Sequence, residues 1–356
     1  MPPLAAPVRL GIVGTGTIGR LHAALAAGRQ DVALVGLSGF DEGAPSLAAQ
    51  LGVPLHTDYR ELIDRGLDGV IVATPNQLHL EIGAFFARHG VHLLIEKPIA
   101  DTLVAGKELC AVAAHHGVHL LVGHHRRYNN LVKAAAVAVA NDIGRLVATN
   151  AMVTMRKPDS YYEPEWRRSA GAGPLLVNLV HEVDLQQAVC GDIDRVQAAS
   201  AKVGREFEFD DTAAVVLHFR NGALGTILIT ESTPSPWSWE ASVSEGMGFH
   251  NAGRDHARFV GTAASLSFPS MTTWTYRAAD GEPGWSTPLH VTHLGVEPND
   301  PYFDQITHFA RVIRGLETPH VSGVEGLRSL AVVAAVIEAA RSGAIVDVDE
   351  LIEQPA

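Results

Sequence analysis

Four short stretches of this 356-residue sequence carry side chains whose types and spacing suit dinucleotide binding and proton transfer. Gly14-Thr15-Gly16-Thr17-Ile18-Gly19 has the G-x-G-x-x-G spacing. Its first glycine permits a tight turn, its second lets backbone approach a pyrophosphate, and its third lets a helix pack on a strand. Thr74-Pro75-Asn76, with His79 one turn on, offers hydroxyl and amide groups that either cap a helix or donate outward to a ligand. Glu96-Lys97-Pro98 ends an apolar run in two charges. Partial burial lowers the pKa of a lysine in such a place and suits it to donate to, or accept from, an alcohol oxygen. The competing reading is an exposed salt bridge. An X-Pro bond there is free to be cis. Asn178, His181 and Asp184 recur every third residue and so share a helical stripe. There His181 is a candidate general base or acid, Asn178 a substrate contact, and Asp184 a group that orients or tunes the imidazole. The alternative is a solvated stripe or a satisfied core histidine.

The elements that position these residues follow from periodicity. Short apolar, β-branched runs at 8–13, 32–37, 69–73, 91–95 and 119–122 alternate with helical spacing at 18–27, 44–51, 78–89 and 103–116. This alternation predicts right-handed βαβ units: a Rossmann, doubly wound parallel sheet. After residue 128 the pattern becomes a helix at 131–140. Alternating runs follow at 146–155, 195–203, 212–219, 225–232, 265–268 and 272–277, with Asn221-Gly222 as a hairpin turn. These predict an antiparallel sheet in an α+β domain. Residues 174–189 read as one helix and 233–301 as loop-rich, and helices return at 302–314 and 324–342, closed by Gly315 and Gly343. The expected domains are 1–125 for the dinucleotide and 126–356 for the α+β sheet, with the helices of 302–343 packing back on the first.

The acid that usually binds a ribose hydroxyl lies about 20 residues beyond the glycine loop. Counting from Gly19 gives Gly39 instead. Ser38 is the candidate contact, Asp41 reads as too far along, and no Arg or Lys occupies this loop. NAD and NADP both remain open, with a slight lean to NAD.

Lys plus Arg total 27 and Asp plus Glu 39, a net charge of −12 with no basic patch, which argues against nucleic acid or a membrane surface. Cys110 and Cys190 are the only cysteines, as expected in a reducing cytoplasm, and the N-terminal residues do not read as a signal peptide. Of the 18 histidines, the runs around 115–119 and 124–125 lack the carboxylate or thiolate partners of a metal site, so no metal is expected.

Taken together these motifs resemble the Gfo/Idh/MocA family of NAD(P)-dependent oxidoreductases. The resemblance rests on the glycine loop, Ala73-Thr74-Pro75-Asn76 with His79, Glu96-Lys97-Pro98 and Gly123-His124-His125-Arg126-Arg127-Tyr128. It extends to Trp166-Arg167, the stretch 171–181 and Gly261-Thr262, and so spans nearly the whole chain. It implies an N-terminal Rossmann domain, a substrate-binding and oligomerisation domain over 126–356 whose large, mostly antiparallel open sheet forms a homodimer or homotetramer, and Lys97 and His181 as the catalytic pair. Many members carry Asp four residues before that histidine, where Val177 stands here, so Asn178 takes the part of substrate orientation. Arg127, Trp166 and Arg167 are candidate substrate contacts, and the roles of Arg126 and Asp184 stay open. The implied reaction is hydride transfer between nicotinamide and a secondary alcohol or ketone of a sugar, inositol or related ring. The alternatives are a cofactor-sensing regulator without turnover and an NAD-dependent glycosidase.

Overall fold

The computed structural model describes residues 6–354 except 170, 171, 244, 246 and 247, and omits the side chain of Trp166. Gly171 of the family-like stretch therefore lies outside the described residues, as do the first five residues. The chain divides into two compact units, one of residues 1–128 and 300–330, the other of 129–299 and 331–355.

In the first unit, β1 (Val8–Val13), α1 (Thr17–Ala27), β2 (Val32–Ser38), α2 (Ala44–Leu51), β3 (Leu55–His56) and β4 (Gly69–Val72) follow one another. Then come α3 (His79–Arg88), β5 (His92–Ile95), α4 (Leu103–His115) and β6 (Leu120–Val122). The strands form a parallel sheet in the order β3-β2-β1-β4-β5-β6, the doubly wound order with its switch point beside β1. Continuous apolar runs suit strands covered on both faces: every residue of β4 is buried, and Leu10, Ile12, Ile71 and Leu94 are fully enclosed. Strand β3 is too short to leave a periodic signal and was not expected.

The second unit begins with α5 (Asn130–Asn141), capped by Asn129 Oδ1, which accepts from the Leu131 amide at 2.9 Å. It continues through β7 (Leu146–Thr154), α6 (Pro174–Val177), α7 (Leu179–Cys190), β8 (Ile193–Ala201), β9 (Thr212–Phe219) and β10 (Leu224–Thr230). Next are α8 (Trp239–Ser242), β11 (Ala257–Gly261), β12 (Ala264–Phe268), β13 (Thr272–Thr275) and β14 (His290–His293). The chain returns to the first unit with α9 (Pro301–Ile313), whose Ile306 and Phe309 join the core around β1, α1 and β4. It ends with α10 (Gly323–Ser342), β15 (Val346–Asp347) and α11 (Val348–Glu353).

The second sheet has nine strands in the order β14-β13-β12-β11-β7-β10-β9-β8-β15. All its pairs are antiparallel except β7 with β10. Two differences from the sequence reading matter. The segment taken as loop-rich also holds β11 and β14, and the expected single helix 174–189 is interrupted at Asn178, between α6 and α7. Asn178 itself is the reason: its carbonyl accepts from the His181 amide at 3.1 Å, starting a new turn.

Candidate active site

The glycine loop joins β1 to α1. Gly14 has φ +99°, and a Cβ there would stand 2.3 Å from the Ala73 carbonyl oxygen. A Cβ on Gly19 would stand 1.9 Å from the Gly14 carbonyl oxygen, so both positions require glycine for backbone packing. Gly16 differs. A Cβ there meets nothing within 4 Å, which leaves its backbone open at the start of α1, where unpaired N–H groups and the helix dipole favour a phosphate. At the end of β4, Thr74 Oγ1 is buried without a hydrogen-bond partner among the described residues. An orphaned hydroxyl beside an open glycine backbone, both at the carboxyl edge of a parallel sheet, fits a dinucleotide.

Neither Pro75 nor Leu78, the residues preceding the helical turns here, makes a side-chain cap bond, so Thr74 and Asn76 are not capping groups. His79 is fully enclosed, with Nδ1 3.0 Å from the Pro98 carbonyl oxygen and Nε2 3.0 Å from that of Thr74. Burial, opposed by those carbonyls, holds its pKa below the ordinary imidazole range. A neutral ring donates to one carbonyl only. His79 thus fills the space between the β4 loop and the β5 loop and donates its one N–H to one of them, next to Pro98, which follows Lys97.

Glu96 does not form an exposed salt bridge. Its amide still pairs with the Val72 carbonyl at 2.9 Å, so the sheet extends one residue beyond β5, and its side chain turns in to His22 of α1. His22 Nε2 lies 2.9 Å from Glu96 Oε1, and the Lys97 amide donates to Oε2 at 3.2 Å. Burial works to raise the Glu96 pKa, but the His22 hydrogen bond and charge, with Lys97, bring it below the ordinary value. Lys97 follows, half-buried, in the bend after β5. The Lys97–Pro98 peptide is cis. Ser38 is buried at the end of β2 and Thr15 beside it in the loop, while Thr17 is exposed. Arg127 is half-buried in the helical turn His125–Tyr128.

In the second unit, His181 and Asn178 are half-buried and Asp184 is buried. Asn178 Oδ1 accepts from Lys157 Nζ at 2.8 Å, and the same ammonium pairs with Glu231 Oε2 at 2.6 Å. Tyr162 donates to Glu231 Oε1 at 2.5 Å, and burial together with that carboxylate pushes its phenol up. This network fixes the Asn178 amide with its nitrogen directed away from Lys157. Arg167 lies over the Tyr161 ring at 4.2 Å and donates to the Tyr161 carbonyl at 2.8 Å, so much of its guanidinium serves local packing.

Sequence reading missed Lys157, Glu231 and His22, because each acts through a partner distant in sequence. Asp41, read as too far along for a ribose hydroxyl, accepts from Thr15 Oγ1 and, at 2.5 Å, from Arg20. Among the described residues no cluster of three or more His, Cys, Asp or Glu side chains could hold a metal, and no helix is long and apolar enough to cross a membrane.

Residues 8–124 match the family model described as an oxidoreductase NAD-binding Rossmann fold, and 138–348 match that of the oxidoreductase C-terminal alpha/beta domain. The chain is 26% identical over 345 residues to D-xylose 1-dehydrogenase (NADP(+)) 2 of Haloferax volcanii, covering 95% of this chain and 99% of that protein. It is 26% identical to myo-inositol 2-dehydrogenase of Thermotoga maritima, covering 91% and 93%. Its fold is shared with the WlbA dehydrogenase of Bordetella pertussis, solved with NADH and UDP-GlcNAcA. There the TM-score is 0.77 and the identity 24%, over 96% of this chain and 98% of that one.

Proposed function

The chain belongs to the Gfo/Idh/MocA oxidoreductase family, and from that membership we propose that it interconverts a secondary alcohol and a ketone on a sugar, an inositol or a related hydroxylated ring. The observation that carries this reading is the open Gly16 backbone and the orphaned Thr74 hydroxyl at one sheet edge, with His79 packed between that edge and the loop that bears Lys97. The relatives' substrates, D-xylose and myo-inositol, support a polyol. When bound, a nicotinamide dinucleotide supplies the hydride acceptor or donor. Gly14, Thr15, Gly16, Thr17, Ile18 and Gly19 hold its phosphates, with Ser38, Thr74, Pro75 and Asn76 along the same edge.

Lys97 holds the alcohol oxygen with its ammonium, and His181 takes the hydroxyl proton on oxidation and returns it on reduction. Asn178, braced by Lys157, orients a second hydroxyl, and Arg127, Trp166 and Arg167 complete the substrate contacts. Absorbance at the nicotinamide band, followed over a panel of sugars and inositols with both cofactors, tests the reading. Failure of every polyol to support turnover would refute it.

His181→Gln is expected to lower kcat by about 10²–10⁴-fold, the usual contribution of a positioned acid–base group. It also removes one ionisation from the pH profile of kcat. A profile of unchanged shape would assign His181 to packing.

The open sheet supports a homodimer or homotetramer. Register aligns Leu224, Ala148, Val260, Ser265, Trp274 and Val291 in one row across six strands, and paired residues share a face. Leu224, Leu228, Val260, Trp274 and Val291 are exposed apolar residues in this chain. Leu228→Glu should convert the assembly to a smaller species in sedimentation with unchanged circular dichroism. A wild-type monomer would contradict the proposal.

A further inference from the structure

Arg20 follows Gly19 in the first turn of α1, and its guanidinium lies over the β2–α2 turn. Nη2 donates to Asp41 Oδ1 at 2.5 Å and Nη1 to the Gly43 carbonyl at 3.4 Å. Gly43 makes the room: a Cβ there would stand 2.3 Å from Arg20 Nη2. The other Asp41 oxygen accepts from Thr15 Oγ1, and Oδ1 also accepts from the Gly43 amide at 3.2 Å. Burial works to raise the Asp41 pKa, but the Thr15 and Arg20 hydrogen bonds bring it below its ordinary value, so it stays ionised as the anchor.

This cluster surrounds the end of β2, where a Rossmann domain meets the 2′ position of the adenosine ribose. An acid cannot take the usual place there. A Cβ at Gly39 would stand 2.0 Å from Thr15 Oγ1, so this position admits no side chain while Thr15 keeps its place. Asp41 is already engaged by Thr15, Arg20 and Gly43, which leaves it a poor acceptor for a ribose hydroxyl. Arg20 has donors in reserve, since a guanidinium carries five N–H groups and two are spent here. Its pair with Asp41 is well exposed, at 37% and 42% side-chain exposure, and exposed pairs contribute little. A phosphate dianion offers the stronger, charge-assisted partner.

We propose that Arg20, held in place by Asp41, binds the 2′-phosphate, and that the protein takes NADP(H) in preference to NAD(H). This reverses the slight lean to NAD that the absence of a basic residue in the β2 loop suggested, because the cation comes from α1. It rests on the dinucleotide reading of the glycine loop.

Titration of the purified full chain with NADPH and with NADH, read by nicotinamide fluorescence without substrate, tests it. Wild type should bind NADPH at least about tenfold more tightly than NADH. Arg20→Ala should weaken NADPH by about tenfold or more and leave NADH within about twofold, and Arg20→Lys should recover part of the loss by restoring charge without the fork. Equal or tighter NADH binding by wild type, or an Arg20→Ala loss shared by both dinucleotides, would overturn the assignment of Arg20 while leaving the dinucleotide reading intact. Binding of neither dinucleotide would overturn both.

Discussion

Lys97→Met lowers kcat by about 10³-fold, within the 10²–10⁴ range of a positioned proton donor, while dinucleotide affinity changes by no more than a few-fold. Methionine keeps most of the length and apolar stem of lysine and deletes the ammonium. The half-buried position is therefore still filled and the cis Lys97–Pro98 turn keeps its flanking chain. The backbone bonds around position 97 do not use its ammonium. His79 packs between the Thr74 and Pro98 carbonyls, 3.0 Å from each, and the Glu96 amide keeps its 2.9 Å bond to Val72. A large loss of rate with cofactor affinity preserved therefore isolates the ammonium's action on the substrate oxygen. A variant that retains more than about a tenth of wild-type kcat would remove Lys97 from the chemistry. A variant that loses cofactor binding in proportion to its rate would make it a cofactor ligand instead.

How much of this was legible beforehand follows the range of the forces involved. Strands β1, β2, β4, β5 and β6 and helices α1 to α4 could be read within a residue or two, since each is a local apolar pattern bounded by glycine or polar residues. The glycine loop was legible for the same reason: Gly14 and Gly19 answer backbone contacts with each other and with Ala73, while Gly16 stands open to a ligand. What could not be read depends on pairing between distant segments. Residue 157 and residue 231 meet because β7 and β10 run parallel, with Thr154 opposite Thr230, so both chains leave the sheet at the same end. Local alternation says nothing about that direction. Arg20 and Asp41 illustrate the same limit. Reading the β2 loop alone shows acids and no cation, whereas the structure brings the cation from the helix across it. The break at Asn178 was hidden because the apolar positions on either side keep helical spacing through it.

Glu96→Ala is expected to destabilise the protein by about 1–3 kcal/mol, the cost of leaving a buried hydrogen-bonding group without its partner. That corresponds to a fall in Tm of about 2–12 °C for a unit of this size. The Glu96 side chain is 10% exposed and holds His22, which is fully enclosed and packs edge-on against Tyr302 with ring centroids 5.7 Å apart. Without Glu96, the His22 Nε2 loses its acceptor in a site closed to water. Glu96→Gln separates charge from shape, and its pH dependence has a definite sign. The folded pKa of Glu96 lies below the ordinary 4.5, because His22 and Lys97 outweigh the effect of burial. Its contribution is therefore fully present above about pH 4.5 and is lost as pH falls through the lower, folded value. Denaturant midpoints of wild type and Glu96→Gln should thus differ by a constant amount at neutral pH and converge only in acid, below about pH 4.5. Other carboxylates protonate alike in both proteins, so the difference reports Glu96. A gap that widened in acid would mean that the carboxyl is held in its neutral form in the fold, and the His22–Glu96 pair would then be an ordinary hydrogen bond between uncharged groups.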